Sequence, residues 1–178
     1  MRCGWVRGLT LLELLVVLAL LAVLVGLAVP ALGGLWQARQ VQAAGEALVA
    51  DLRRARSEAM QRATTVAVCS STDGQSCSLD AAWREGWIVF VDRDANRRRD
   101  AGEELLRVQE RLPGLASVAG STPSTDKAIF SFQPSGWAKA ASQTLLFKPE
   151  SGSAALRVLC ISSQGRPTLR PVGQTACS

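Results

Sequence analysis

Between Leu9 and Val29 the chain is apolar at every position except Thr10, Glu13 and Gly26. Twenty-one residues at about 1.5 Å rise make roughly 32 Å of helix, enough to cross a bilayer core of about 30 Å. Such a run is too long and too uniform to be one face of a small soluble core, so it predicts a single transmembrane helix over residues 9–29. Arg2 and Arg7 precede it, and positive charge on that side predicts a cytoplasmic N-terminus with the rest of the chain exported. Two ordinary readings compete, a plain signal anchor and a cleaved secretory signal peptide. Against the second, Ala28-Val29-Pro30-Ala31 is a poor cleavage site because proline hampers it. Against the first stands Glu13, since a carboxylate one turn inside a membrane segment costs about 3 kcal/mol and usually marks function.

The 178 residues leave room for one modest globular domain after the anchor. Hydrophobic residues reach 48% only because of the N-terminal run, and the remainder has the texture of a soluble domain. Net charge is +5, falling to +3 without residues 1–8, which is too little by itself to argue for nucleic acid. Histidine is absent. That excludes Ser-His-Asp and Cys-His catalysis and removes the commonest metal ligand. Nothing else brings a nucleophile and a base together, so no catalytic residues, no metal site and no cofactor are expected. Of the five cysteines, Cys3 precedes the apolar run, and Cys69, Cys77, Cys160 and Cys177 lie in the globular part without CxxC spacing. Disulfides in an oxidising compartment are the expected use. Three connectivities are open. Pairing neighbours joins Cys69 to Cys77 and Cys160 to Cys177, the second closing a loop of roughly fifteen residues for about 3 kcal/mol.

The N-terminal residues Arg7-Gly8 followed by Leu-Thr-Leu-Leu-Glu-Leu-Leu-Val-Val resemble the type III leader and N-methylation motif of type IV pilins and type II secretion pseudopilins. The resemblance implies a leader over residues 1–8, cut by a prepilin peptidase between Gly8 and Leu9, with methylation of the new N-terminus at Leu9. The family's usual first residue is phenylalanine, so Leu9 departs from it. It implies further that Glu13, the fifth mature residue, pairs with the N-terminal amine of a neighbouring subunit during assembly. A buried carboxylate is costly alone and tolerable when paired with an ammonium. Pro30, Gly33 and Gly34 would weaken the helix where it leaves the membrane, or simply mark a helix break.

Residues 30–64 continue the helix in amphipathic form. Val41, Ala44, Leu48, Leu52, Ala55 and Ala59 recur at spacings of three and four and form one apolar stripe. Arg54–Glu58 and Glu58–Arg62 are i,i+4 pairs, and Arg53, Arg54, Arg56 and Arg62 read as a solvated face. Residues 65–178 turn to β texture, with strands expected at 65–69, 87–91, 105–108, 129–132, 144–147 and 156–161, separated by glycine, proline and serine clusters at 119–125 and 149–153. The fold class is α+β, an antiparallel sheet against one long N-terminal helix.

Trp83, Gly86-Trp87-Ile88-Val89-Phe90-Val91-Asp92, Asn96, Gly102-Glu103 and Leu105-Leu106-Arg107, with the later Phe132-Gln133-Pro134-Ser135-Gly136 and Ser163-Gln164-Gly165-Arg166, look like the signature of the FimT/GspH group of minor pilins and pseudopilins. That group's build is the type IV pilin-like fold. The implied partners are other pilins or pseudopilins, the prepilin peptidase, an inner-membrane assembly platform and membrane lipid, with the C-terminal domain in the periplasm. Asp92, Asp94, Asn96, Asp100 and Glu103 match an EF-hand loop at positions 1, 3, 5, 9 and 12, but Arg97 replaces the glycine and two more arginines follow. A turn is the preferred reading. Arg166 and Arg170 would project together on an extended strand, about 7 Å apart per two-residue repeat and on one face. Guanidinium is a natural phosphate clamp. Minor pilins of the FimT kind are associated with DNA binding through a C-terminal Gly-Arg-x-Arg motif, which Gly165-Arg166-Pro167-Thr168-Leu169-Arg170 matches in part; DNA is therefore a candidate partner, and two solvated arginines are the alternative.

The native protein is expected to begin at a methylated Leu9. Intact-mass spectrometry checks this, and a chain retaining Met1 in cells with active prepilin peptidase would contradict it.

Overall fold

The computed structural model describes residues 10–178 other than 79, 81, 121–128, 140–142, 153, 154, 175 and 178, and describes no side chains for 27–32. Two compact units are present, one ending at Trp36 and one running from Gln37 to Ser178. In the first unit, helix α1, Leu11–Arg62, begins beside Thr10, whose Oγ1 accepts the Glu13 backbone N–H at 3.2 Å. Thr10-x-x-Glu13 has the spacing of a helix capping box, so the threonine supports the helix start. The apolar side chains from Leu11 to Val25 are exposed. Among the described residues no helix is long and apolar enough to cross a membrane; the expected span, 9–29, reaches beyond the described side chains at both ends.

In the second unit the helical residues 37–62 pack on β-structure. The strands are β1 Val66–Ser70, β2 Trp87–Val91, β3 Leu105–Gln109, β4 Leu115–Gly120, β5 Ile129–Phe132, β6 Ala138–Lys139, β7 Gln143–Pro149, β8 Arg157–Ile161 and β9 Pro167–Leu169. All pair antiparallel. They divide into two sheets, ordered β3-β2-β1-β5-β6 and β4-β7-β8-β9. The six expected strands are present. β4, β6 and β9 fall outside that set, because Leu115–Gly120 runs into the glycine and serine cluster and the other two are only two or three residues long.

The helical stripe is the centre of the main core. Val41, Leu48, Leu52, Ala55 and Ala59 are fully buried and Ala44 nearly so, against Val66, Val68, Trp87, Val89, Phe130 and Phe132 of the first sheet and Leu145, Phe147, Leu159 and Ile161 of the second. Side chains alternate along a strand, so Ala67, Cys69, Ile88, Phe90 and Ile129 point to the opposite face of the first sheet and form a second, smaller cluster. β1 and β2 are consequently buried at every position, which explains their nearly unbroken apolar sequence.

One buried charge sits inside the helical stripe. Asp51, only 4% exposed, accepts the Trp87 indole N–H at 2.8 Å and the Arg107 Nε–H at 2.7 Å, tying α1 to β2 and β3 at once. Trp87 is completely buried, so its N–H has no access to water. Gly86 ends the short 3₁₀ turn Trp83–Glu85 at φ +127°, where a Cβ would stand 2.3 Å from the Gln109 carbonyl oxygen. Only glycine allows β2 and β3 to approach that closely.

Asp51→Ala is expected to destabilise the domain by about 2 kcal/mol, because it strands the buried indole donor. Chemical denaturation checks this. A midpoint unchanged from the parent would show that Asp51 is dispensable.

Candidate functional site

Three places carry the expected functional residues. At the N-terminus, Gly8 and Leu9 lie outside the described residues. Glu13 is exposed in the first turn of α1, flanked by Leu11, Leu12, Leu14 and Leu15, which are themselves exposed. A carboxylate on an otherwise apolar helix surface calls for a cationic partner wherever that surface is covered.

The acidic segment between β2 and β3 brings one oxygen each of Asp92, Asp94 and Glu103 within 4.8 Å of one another. Its carboxylates are engaged with the backbone. Asp92 accepts the N–H groups of Asn96 at 3.1 Å and Arg97 at 3.2 Å, and Glu103 accepts those of Arg93 at 2.8 Å and Asp100 at 3.0 Å. Asn96 in turn donates its amide to Asp94 and Asp100. Arg97, at φ +65°, takes the conformation in which an EF-hand has glycine, and its guanidinium donates to the Ile129 carbonyl at 3.3 Å. Arg99 donates to the carbonyls of Gln75 and Glu103. The segment is thus a turn network laid beside the second apolar cluster, and two of the three consecutive arginines are structural.

Burial pushes the Asp92 carboxyl up to about 6, with the charges of Glu103 and Asp94 adding to the rise and the Arg97 and Asn96 N–H groups opposing it. Asp73, on the neighbouring loop, is held well below the usual carboxylate range by the Ser76 hydroxyl and the Ser76 and Gln75 N–H groups.

The third place is the turn from β8 to β9. Ser162 N–H donates to the Arg166 carbonyl and Arg170 N–H to the Val158 carbonyl, so residues 166, 168 and 170 spend their backbone groups on β8. Those of 167 and 169 face the free edge of the sheet, and Pro167 leaves one outward position without a donor, which blunts pairing with another strand. Arg166 is exposed and Arg170 half-buried. Gly165, at φ +74°, sets the turn; a Cβ there would meet Ala138 Cβ at 2.5 Å and Phe132 Cε1 at 2.9 Å. Leu169 lies over Gly45 of α1, where a Cβ would come within 2.7 Å of its Cδ1. The hairpin whose edge strand the two arginines flank is therefore held by both the helix and the first sheet. Residues 166–170 were legible as an extended pair of cations; the glycine notch was not, because its cause is a neighbour distant in sequence.

Two disulfides secure the segments around these sites. Cys69–Cys77 anchors the loop after β1, and Cys160–Cys177 returns the C-terminal tail to β8, with Cα–Cα separations of 5.5 and 5.7 Å. Trp83 and Trp87, prominent in the sequence signature, are core residues, with ring centroids 6.5 Å apart and Phe130 at 5.3 Å from Trp83.

A long N-terminal helix whose later turns pack on antiparallel β-structure is the build of a pilin-like structural subunit rather than an enzyme. The model of the Type II transport protein GspH family matches residues 44–165, and the prokaryotic N-terminal methylation motif matches residues 6–29. The chain is 38% identical over 172 residues to the pilin-like protein PilA1 of Thermus thermophilus, covering 92% of this chain and 97% of that one. In fold it resembles the type IV minor pilin FimU of Pseudomonas aeruginosa PAO1 in two crystal forms, with TM-scores of 0.54 and 0.52 at 22% identity, over 75% and 73% of this chain and 90% and 92% of that one. The chain belongs to the GspH family of pilin-like subunits.

Between the ordinary aspartate pKa and about 6, folded Asp92 holds a proton that the unfolded chain has lost. Its contribution to stability therefore grows as pH falls from 7 towards 4. Carbon-13 NMR of the side-chain carboxyls should show Asp92 titrating with a midpoint of about 6. An ordinary aspartate midpoint would contradict its burial.

Proposed function

We propose that the chain is made with a leader over residues 1–8, cut after Gly8 by a prepilin peptidase and methylated at Leu9. Residues 9–29 then hold it in the inner membrane as a single-pass subunit, residues 30–64 continue the helix, and residues 65–178 form the periplasmic domain. From the membrane it enters a type IV pilus-like filament as a minor subunit, through an inner-membrane assembly platform and contacts with other pilins. Glu13 carries this reading, as the lone charge in a long apolar run and exposed in the first helical turn. Moving such a helix from lipid into a filament leaves its carboxylate in an apolar setting, where the N-terminal amine of a neighbouring subunit neutralises it. PilA1, similar over nearly the whole chain, is a pilin-like protein, which favours a pilus. The match of residues 44–165 to the GspH model favours a second reading, an H-type pseudopilin serving protein export without binding DNA.

Glu13→Ala is expected to be processed normally yet to be absent from sheared filaments, as followed by immunoblotting. Filaments containing the variant at parental level would refute the pairing.

The exposed edge strand further supports contact with DNA. Arg166 and Arg170 flank β9 at positions of the same alternation as Thr168, in a hairpin whose residues 162–170 contain no acid. Phosphate contacts carry no sequence information. The protein should therefore retard duplex DNA of any sequence, with an affinity that falls steeply as salt rises. Arg166→Ala with Arg170→Ala should reduce the log–log salt slope by about two. A gel shift unchanged in the double variant would place the contact elsewhere, and no shift at low salt would favour the pseudopilin reading.

A further inference from the structure

Helix α1 carries two marked residues in the unit that ends at Trp36. Glu13 is in its first turn, and Trp36, with 67% of its surface exposed, is the last residue of the unit. The preceding Leu35 is 52% exposed. The helix runs from Leu11 to Arg62 without a break, so Pro30, Gly33 and Gly34 do not interrupt it. Glu13 and Trp36 are therefore roughly 35 Å apart along the axis, at about 1.5 Å per residue. Residues 14–35 contain no charged side chain and none with a hydrogen-bonding group. Trp36 is also the sole aromatic residue between Trp5 and Trp83. An aromatic side chain thus stands exposed at one end of this stretch and a carboxylate at the other.

Two placements of this helix in a bilayer are nearly equal in length. Residues 9–29 and residues 14–35 each make roughly 32 Å of helix, against a hydrocarbon core of about 30 Å. They differ in what falls at the boundaries. With 9–29 in the core, Glu13 lies about 6 Å inside it, and Trp36 lies about 10 Å beyond it, past a headgroup layer of roughly 5–8 Å. With 14–35 in the core, Glu13 meets the inner headgroups and Trp36 the outer ones. The exchange moves residues 9–13 out of the core and residues 30–35 into it, trading three leucines for two leucines, an alanine and a proline. Apolar burial changes little. The ionised carboxylate, however, leaves hydrocarbon, and the indole reaches the depth where its ring is buried while its N–H is hydrated.

We propose that Trp36 is a lipid-interface anchor that sets the membrane register of the helix at residues 14–35, with its indole among the outer headgroups and Glu13 among the inner ones. This rests on the reading of the N-terminal helix as a single membrane span, and it moves that span about 8 Å along the helix. In this register Glu13 is charged and hydrated before assembly. It gives up that hydration only as the helix leaves lipid for a filament, so a neighbouring subunit's amine meets it at the step where water is lost. Docking on another protein would also cover the indole, but leaves its separation from Glu13, close to one bilayer thickness, without a cause.

The test reconstitutes the full chain in vesicles of phosphatidylcholine and phosphatidylglycerol and measures quenching of tryptophan fluorescence. The phosphatidylcholine carries bromine either close to the headgroup or near the chain ends. Trp36→Phe supplies the background from the other four tryptophans. The emission lost in that variant should be quenched more strongly by bromine close to the headgroup. In the Trp36→Phe background, Leu24→Trp should be quenched more by chain-end bromine than Leu18→Trp, because residue 24 is at the midplane of a 14–35 span. Stronger chain-end quenching of Leu18→Trp would restore the 9–29 register and overturn this inference while sparing the span. Trp36 emission indifferent to both lipids, with Leu18→Trp and Leu24→Trp quenched, would likewise overturn the anchor alone. No quenching at residues 18, 24 and 36 would overturn the span together with the anchor.

Discussion

The buried carboxylate of Asp51 is the interaction on which the arrangement of the β domain most depends. It lies on α1 among alanines and leucines, where a charge without partners would be strongly unfavourable. Its two partners come from different strands, the Trp87 indole of β2 and the Arg107 guanidinium of β3. The apolar stripe alone would tolerate some sliding or rotation of the helix over the first sheet, because hydrophobic contact is non-directional. A carboxylate that must meet both donors allows far less. This single contact thus converts a loosely specified packing of helix on sheet into one register.

Around that contact the sheets use their alternation differently. In the first sheet β1, β2 and β5 are buried on both faces, by the helix and second sheet on one side and by flanking segments on the other. Those segments contain the most conspicuous charged residues of the chain, and the charges serve to shape them. The carboxylates of Asp92 and Glu103 gather backbone N–H groups, and Arg97 and Arg99 satisfy carbonyls of neighbouring segments. What resembles a cation loop in one dimension is a hydrogen-bonded border of a small apolar cluster in three.

The functional surfaces divide along the same line. The N-terminal helix presents an apolar surface with one carboxylate, suited to lipid and to other subunits. The β domain presents Arg166 and Arg170 at the two ends of β9, in a hairpin fixed by glycines that permit very close approach.

How much of this was legible in sequence follows from the range of the forces involved. The long apolar run, the helical stripe from Val41 to Ala59 and the six longer strands are consequences of local periodicity, and each could be read from neighbouring residues. The N-terminal motif was legible because cleavage and methylation act on a linear segment. The same holds for Arg166 and Arg170 as a pair on an extended strand. Asp51 was overlooked although it falls three residues after Leu48 and one before Leu52, a spacing that places it within the stripe. Nothing in its own segment names Trp87 or Arg107 as partners. The short strand β6 could not be read, since two residues hold an extended form only when a neighbouring strand supplies the hydrogen bonds. Sequence by itself therefore determined the helix, the class of fold and the assembly motif, where the physics is local. Tertiary structure alone decided the division into two sheets, the partners of the buried charge and the seating of Gly165 against Ala138 and Phe132, because these depend on groups brought together only by packing.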